Sequence, residues 1–209
     1  MNRLFLGISI SLCSLVLFRS HVGYAAEPNN QLNADRTRLV LRNYMRVYAD
    51  NACGVDKPGA FAAAREEIGQ ITDDSLCDIE KSIGPETPHA IVYAIYDSRL
   101  THPAKLQLVR TATKLYLLSG SKTQSKSNTL LGALRSLGTR NDIPQIASLA
   151  ELRSEFTVHE GLVAIQELGW KEDVVYFDSL LEYAEHRKID INKQQVQKLR
   201  DKLIRQGSN

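Results

Sequence analysis

Apolar residues recur at intervals of three and four along most of this chain, which is the spacing that places them on one face of an α-helix. Between Asp35 and Asp50, for example, Leu39, Leu41 and Tyr44 belong to one broad apolar face. The pattern predicts an all-α fold. Its successive helices are expected over about 35–50, 58–69, 73–83, 88–98, 103–118 and 192–205, with a duplicated pair between 128 and 188.

Three segments carry a weaker pattern. By composition, residues 88–98 fit either a strand or a helix, and the alanines and the helical neighbours favour a helix. Residues 27–34 are polar and are expected to be irregular. Residues 119–128 are rich in serine and lysine, which predicts a flexible loop. We therefore expect one domain, 27–209, with an N-terminal helical half (27–118) and a C-terminal half (128–209).

The C-terminal half contains an internal repeat. Residues 133–149 align without a gap to residues 164–180, and six of the 17 aligned positions are identical. In each copy Leu-Gly ends one helix, and the glycine suits the left-handed residue that often follows a helix. Asp142 and Asp173 are then placed to cap the next helix. The unit is a helix, a short turn and a second helix, and its wide apolar faces require stacked neighbours.

This Leu-Gly-x-x-x-Asp pattern resembles HEAT-like repeats of the short bacterial type, which are about 30 residues long. The resemblance covers about residues 128–188. It implies antiparallel helical hairpins that stack as an α-solenoid in the C-terminal half, closed by the helix at 192–205. It also implies protein recognition, the usual work of such surfaces. The alternative is a generic helical bundle with one duplicated hairpin.

The first 26 residues have the order of a secretory signal peptide. Arg3 precedes an uncharged apolar run from Leu4 to Phe18, and small residues follow, with cleavage expected after Ala25 or Ala26. The run is about 15 residues, shorter than the roughly 20 that span a bilayer. We therefore expect an exported protein without an integral membrane segment, in the periplasm or, as a second choice, secreted.

Charge excludes one class of partner. The chain has 26 Lys and Arg against 24 Asp and Glu, and the small excess leaves with the signal peptide. A neutral chain lacks the basic excess of a nucleic-acid binder, so no nucleic-acid partner is expected. Residues 27–98 hold 7 basic and 12 acidic residues, whereas residues 99–209 hold 17 and 12. These opposed halves either face each other or orient a partner.

Two cysteines remain once Cys13 is removed with the signal peptide. An even pair in an exported protein predicts a disulfide between Cys53 and Cys77, worth roughly 3 kcal/mol for a loop of about 25 residues. Redox or metal-binding roles are the alternatives. The spacing of the pair and the lack of a nearby histidine in the sequence argue against them.

Two features are candidate partner-binding sites. Arg38, Arg42 and Arg46 share one helical face, which is either a solvated surface or a docking strip for an acidic partner. Trp170 is the only tryptophan and falls in the turn of the second repeat. It either folds onto the neighbouring hairpin or forms an exposed aromatic anchor.

The sequence offers no catalytic motif. The histidines lack metal-ligand spacing, and Ser119-Gly120-Ser121-Lys122 matches a penicillin-binding motif only by chance, so we predict no catalytic residue, metal or cofactor. The expected function is non-catalytic binding of a protein. The protein would be an inhibitor, a toxin-neutralising immunity protein or an adaptor of an envelope complex. The alternatives are a cell-wall or sugar-acting enzyme with a carboxylate pair, and a structural envelope protein whose basic terminal helix touches anionic lipid.

Overall fold

A computed structural model describes residues 28–55, 57–84, 89–120, 124–151 and 155–206. Across these ranges the secondary structure is helical and contains no strand, which confirms the all-α prediction. The predicted signal peptide lies outside the described residues. The helices are α1 (Pro28–Ala52), α2 (Ala60–Ile68), α3 (Leu76–Ser82), α4 (Ala90–Asp97), α5 (His102–Leu118), α6 (Gln124–Leu137), α7 (Ile143–Ala150), α8 (Glu155–Leu168), α9 (Val174–His186) and α10 (Lys193–Arg205).

Two segments that were expected to be irregular are partly helical. α1 begins at Pro28, because proline suits the first position of a helix, where its missing N–H is not needed. α6 begins at Gln124, inside the stretch expected to be a flexible loop. Ser127 is fully buried there, and the Lys126 ammonium lies 5.4 Å from the centre of the Tyr116 ring. Packing therefore overrides the polar composition of this segment.

The helices pack in two layers. α2, α4, α6, α8 and α10 follow one another in the first layer, and α3, α5, α7 and α9 follow one another in the second. α1 covers the N-terminal end of the stack through contacts with α2, α3 and α4. One continuous core runs between the layers and includes the fully buried Leu134, Ile165 and Phe177. The HEAT-like resemblance and the α-solenoid that it implies stay predictions.

The turns of the two repeats have nearly the same backbone. Thr139 has φ −127° and ψ 176°, and Trp170 has φ −117° and ψ 177°. Asp142 and Asp173 follow at the start of α7 and α9, but their carboxylates do not cap those helices. Each instead accepts the backbone N–H of the residue three positions earlier, at 2.8 Å and 2.9 Å. The aspartates therefore close the turn.

The glycines of the repeats are not left-handed, contrary to expectation. A Cβ at Gly138 would collide with the carbonyl oxygen of Leu134, and one at Gly169 would collide with that of Ile165. Glycine is required at both positions because the chain passes close to the helix that it leaves.

A third turn of the same form joins α2 to α3. Thr72 has φ −118° and ψ 179°, and Ser75 has φ −91° and ψ 0°, close to the φ −91° and ψ −6° of Asp142. Sequence comparison missed this turn because Ser75 stands where the repeats have aspartate. In addition, two residues lie between Gly69 and Thr72, whereas the glycine and the residue that starts the turn are adjacent in both repeats.

Among the described residues, no helix combines the length and the apolar character that crossing a bilayer requires.

Candidate functional site

The predicted disulfide between Cys53 and Cys77 is wrong, because both cysteines are free and exposed. α3 packs beside the first half of α1, where the Thr37 hydroxyl donates to the Ser75 hydroxyl at 3.2 Å. Cys53 lies 16 residues beyond Thr37, just past the end of α1. At 1.5 Å per residue this separation is about 24 Å, whereas a disulfide needs Cα atoms within about 7 Å.

One face of α1 packs against the stack and the opposite face carries the arginines. Thr37, Leu41, Tyr44 and Val47 are buried at 5%, 2%, 1% and 6% exposure. On the opposite side the three predicted site residues, Arg38, Arg42 and Arg46, are exposed. The structure therefore places them together along the outer side of the helix that ends the stack.

Among the described residues, the guanidinium groups of this face have only weak partners. Arg38 lies 3.8 Å from the exposed carboxylate of Asp35, and Arg46 donates to the amide oxygen of Asn43 at 3.1 Å. Exposed pairs of this kind contribute about 0–1 kcal/mol, so they hold the arginine side chains only loosely. The face keeps a positive charge that a partner can use.

Leu39 lies among these arginines, and sequence reasoning missed it. The pattern assigned it to the apolar face of the helix, but its exposure is 67%. The sequence did not determine which side of α1 faces the core, because apolar positions cover a wide arc of the helix. In the structure the buried side is centred on Leu41 and Tyr44. We define the α1 surface as Arg38, Leu39, Arg42 and Arg46. It combines an apolar contact with three cations.

α1 is fixed to the stack by an aromatic cluster near its C-terminal end. The rings of Tyr48 and Tyr93 stack with centroids 4.8 Å apart, and Phe61 lies edge-on to Tyr48 at 6.1 Å. Burial and a hydrogen bond with Tyr93 raise the pKa of Tyr48 to about 12. This packing gives the α1 surface a rigid support.

An ion pair continues this support. The Tyr44 hydroxyl donates to Asp97 at 2.7 Å, and Arg65 donates to both oxygens of that carboxylate at 2.9 Å. Burial, followed by the hydrogen bond to Asp97, raises the pKa of Tyr44 above its ordinary value. The contacts tie α1 to α2 and α4 at once.

A groove of about 640 Å³ runs along one flank of α1, between that helix and the α2–α3 segment. Leu39, Val40 and Ile71 supply its apolar wall. Its charged residues are Arg36, Glu67, Asp74 and Asp78. Three carboxylates and one guanidinium give the groove a net negative charge, opposite in sign to the charge of the α1 surface.

The groove is where a carboxylate-based enzyme would place its reacting groups. A general acid, however, needs desolvated surroundings that favour its protonated form. Glu67 and Asp74 are exposed, and Glu67 also accepts a hydrogen bond from the Asn43 amide at 3.3 Å. The arrangement suits recognition of a cationic group better than acid–base chemistry.

Trp170, the other predicted site residue, lies away from the α1 surface, in the turn next to α10. Its side chain is 55% exposed, and the guanidinium of Arg140 lies 4.6 Å from the centre of its ring. Arg140 is held in turn by Asp173 at 2.6 Å and Glu172 at 3.3 Å. Trp170 therefore packs under the preceding turn and also presents more than half of its surface to solvent.

In the part of the chain that the structure describes, no group of three or more His, Cys, Asp or Glu side chains is arranged to hold a metal ion.

Comparison of the chain with protein-family models, with curated proteins and with solved structures finds no match in any of the three.

Proposed function

We propose that this protein is a non-catalytic protein-binding module whose α1 surface docks onto an acidic patch of a protein partner. The observation that carries the proposal is the position of Arg38, Arg42 and Arg46 around the exposed Leu39, on the outer side of the helix that ends the stack. A face that buries no core residue has no structural need for an exposed leucine between arginines.

The spacing of the arginines suits a protein surface. From Arg38 to Arg46 the cations extend over about 12 Å along the helix. Arginine forms two parallel hydrogen bonds with a carboxylate and is enriched among the residues that dominate interface energies. Leu39 would contribute an apolar contact, and the three positive charges would steer an acidic partner towards it.

The flank of α1 adds a contact of opposite sign. The carboxylates of Glu67, Asp74 and Asp78 line the groove beside Leu39. A partner that covers α1 with an acidic patch would be able to place a lysine or arginine side chain in this groove. Such alternating charge gives specificity, because partners of the wrong pattern are repelled.

The biological setting of this proposal comes from the sequence. If residues 1–26 direct export, the partner is a periplasmic protein, and the protein is an inhibitor, an immunity protein that neutralises a toxin, or an adaptor of an envelope complex. A stack of helical hairpins suits all three roles, because it presents extended surfaces on a rigid support.

The test is affinity capture from periplasmic extract, followed by binding measurements with the purified partner. We expect the triple variant Arg38→Glu, Arg42→Glu, Arg46→Glu to weaken binding on the order of a hundredfold, or about 2.7 kcal/mol. Lys114→Glu, which reverses one exposed charge on α5, is the control for a charge reversal elsewhere on the surface and should leave binding nearly unchanged. Acidic residues of the partner changed to lysine should restore binding to the triple variant.

Two results would overturn the proposal. One is the absence of any stoichiometric protein partner. The other is a partner that binds the triple variant and the wild type equally well.

A further inference from the structure

We propose that the end of the stack opposite α1 carries a second docking surface, which binds an anionic lipid surface through α10 and Trp170. The inference goes beyond the proposed function and does not depend on it, because the two surfaces lie at opposite ends of the molecule and share no residue.

α10 uses its apolar side for packing and leaves a basic side outward. Val196 and Leu203 are buried at 6% and 0% exposure against α8 and α9. Arg200 is already paired within the molecule, since it donates to both oxygens of Asp178 at 2.8 Å. The exposed basic residues of the helix are Lys193, Lys198, Lys202 and Arg205.

Little negative charge offsets these cations within the helix. Asp201 is the only acidic residue of α10, and it accepts a hydrogen bond from Gln197 at 2.8 Å. Lys202 donates to the Gln166 amide oxygen at 3.2 Å and also lies near the Glu167 carboxylate of α8, which offsets part of its charge. The outer side of α10 is therefore net positive.

The end of α10 is joined to the turn that carries Trp170. The backbone N–H of Lys171 donates to the carbonyl of Gln206 at 3.2 Å. This contact brings Trp170 and Ile204, which are 55% and 39% exposed, to the same corner of the molecule as Lys171 and Arg205. The corner combines apolar side chains with cations.

The turn itself does not require the tryptophan, and the Arg140 guanidinium covers only one face of its ring. Trp170 occupies the turn position that holds Thr72 and Thr139 in the two earlier turns. The turn is closed by the Asp173 carboxylate, which needs only the backbone N–H of this residue. A large aromatic side chain that the turn does not require, and that is more than half exposed, indicates a contact outside the chain.

The chemistry of the corner favours a lipid surface over a protein. Three of the four exposed cations of α10 are lysines, which act as point charges and do not need the two-point geometry of arginine. The groove that would receive a protein side chain lies at the other end of the stack, beside α1. Tryptophan suits the boundary between lipid headgroups and acyl chains, and basic residues are attracted to anionic headgroups within a Debye length.

The experiment uses the fluorescence of Trp170, the only tryptophan of the chain, in protein purified as its host produces it. Vesicles of phosphatidylglycerol should shift its emission to the blue, and vesicles of phosphatidylcholine should not. High salt should reverse the shift. Cosedimentation with the anionic vesicles should fall tenfold or more in the variant Lys198→Glu, Arg205→Glu.

The control variant is Arg42→Glu, Arg46→Glu, which reverses two charges on α1 and should leave vesicle binding unchanged. Circular dichroism checks that each variant is folded. If the α10 variant does not fold, Trp170→Ser replaces it in the cosedimentation assay and should weaken binding.

Three results would overturn the inference. One is the absence of an emission shift with phosphatidylglycerol at low salt. Another is an equal loss of binding in the α1 control. The third is a shift produced by polyglutamate but not by vesicles, which would assign the corner to an acidic protein.

Discussion

Arg110 and Asp142 are joined by two hydrogen bonds, from Nε to Oδ1 at 2.6 Å and from Nη2 to Oδ2 at 2.8 Å. The pair ties α5 to the turn of the next hairpin. The same contact recurs one hairpin later, where Arg140 Nε donates to Asp173 Oδ2 at 2.6 Å. Successive hairpins are thus held at a fixed spacing by a buried carboxylate and an arginine from the preceding unit.

Replacement of Asp142 by alanine should lower the free energy of unfolding by about 2–3 kcal/mol. The carboxylate is 2% exposed, pairs with Arg110 and accepts the N–H of Thr139, so its loss leaves several polar groups without a partner. Urea denaturation measures the change. Asp178→Ala breaks a pair whose side chains are 39% and 34% exposed, and should cost less than about 1 kcal/mol. Equal costs would contradict the role given to Asp142.

The same carboxylate predicts a loss of stability in acid. Burial alone would raise the pKa of Asp142, but hydrogen bonds from Arg110 and Thr139 outweigh it and hold that pKa below its ordinary value. The unfolded chain, with an ordinary pKa of about 3.9, therefore takes up its proton first as the pH falls. The stabilisation is complete above about pH 5 and is lost as the pH falls through the lowered folded pKa.

We expect the free energy of unfolding to decrease between about pH 5 and pH 3, with a shallower slope in Asp142→Asn. Urea titrations at several pH values measure both slopes. Parallel slopes in the two proteins would mean that Asp142 titrates normally in the folded state.

Two glycines should respond in opposite ways to alanine. A Cβ at Gly161 would collide with Ala150 Cβ and lie 3.0 Å from Leu180, where α7, α8 and α9 meet. Gly161→Ala should therefore destabilise the fold by about 1–3 kcal/mol. Gly132 lies inside α6 with open space at its Cβ position. Gly132→Ala should stabilise the fold by about 0.5–1 kcal/mol, because alanine loses less chain entropy in a helix. Thermal unfolding of both variants measures these changes, and the midpoint temperature should fall in Gly161→Ala and rise in Gly132→Ala.

Local rules were enough to predict the helices and the position of the repeat turns. The periodicity of apolar residues located α5 and α10 to within one residue at each end. The Leu-Gly-x-x-x-Asp pattern located the turns at 138–142 and 169–173. Sequence did not reveal that the aspartates close the turn, because which N–H a carboxylate meets depends on the backbone of the folded turn.

Features that depend on how helices lie against each other could not be predicted. The pairing of Cys53 with Cys77 failed because the position of α3 along α1 is fixed by buried contacts such as Thr37 with Ser75. The exposure of Leu39 was missed for a related reason, since α1 has apolar residues on more than one side. Arg140 was overlooked as the partner of Trp170 because 30 residues separate them in the chain.

Both cysteines should react with a thiol reagent in the native protein. Cys53 and Cys77 are free and exposed, so alkylation without denaturant should label both of them, as peptide mass mapping would show. Mapping also separates these sites from Cys13. Prior treatment with a reducing agent should not raise the extent of labelling. Labelling of Cys53 and Cys77 only after reduction would contradict the arrangement of α1 and α3.

Removal of the Arg140 side chain should change the fluorescence of Trp170. The guanidinium covers one face of the indole with 4.6 Å between Cζ and the ring centre. Arg140→Ala should expose that face to water, shift the emission to the red and increase quenching by acrylamide. Arg187→Ala is the matched control, because Arg187 lies over the ring of Tyr183 at 5.7 Å. An unchanged emission spectrum in Arg140→Ala would mean that the guanidinium does not rest on the indole in solution.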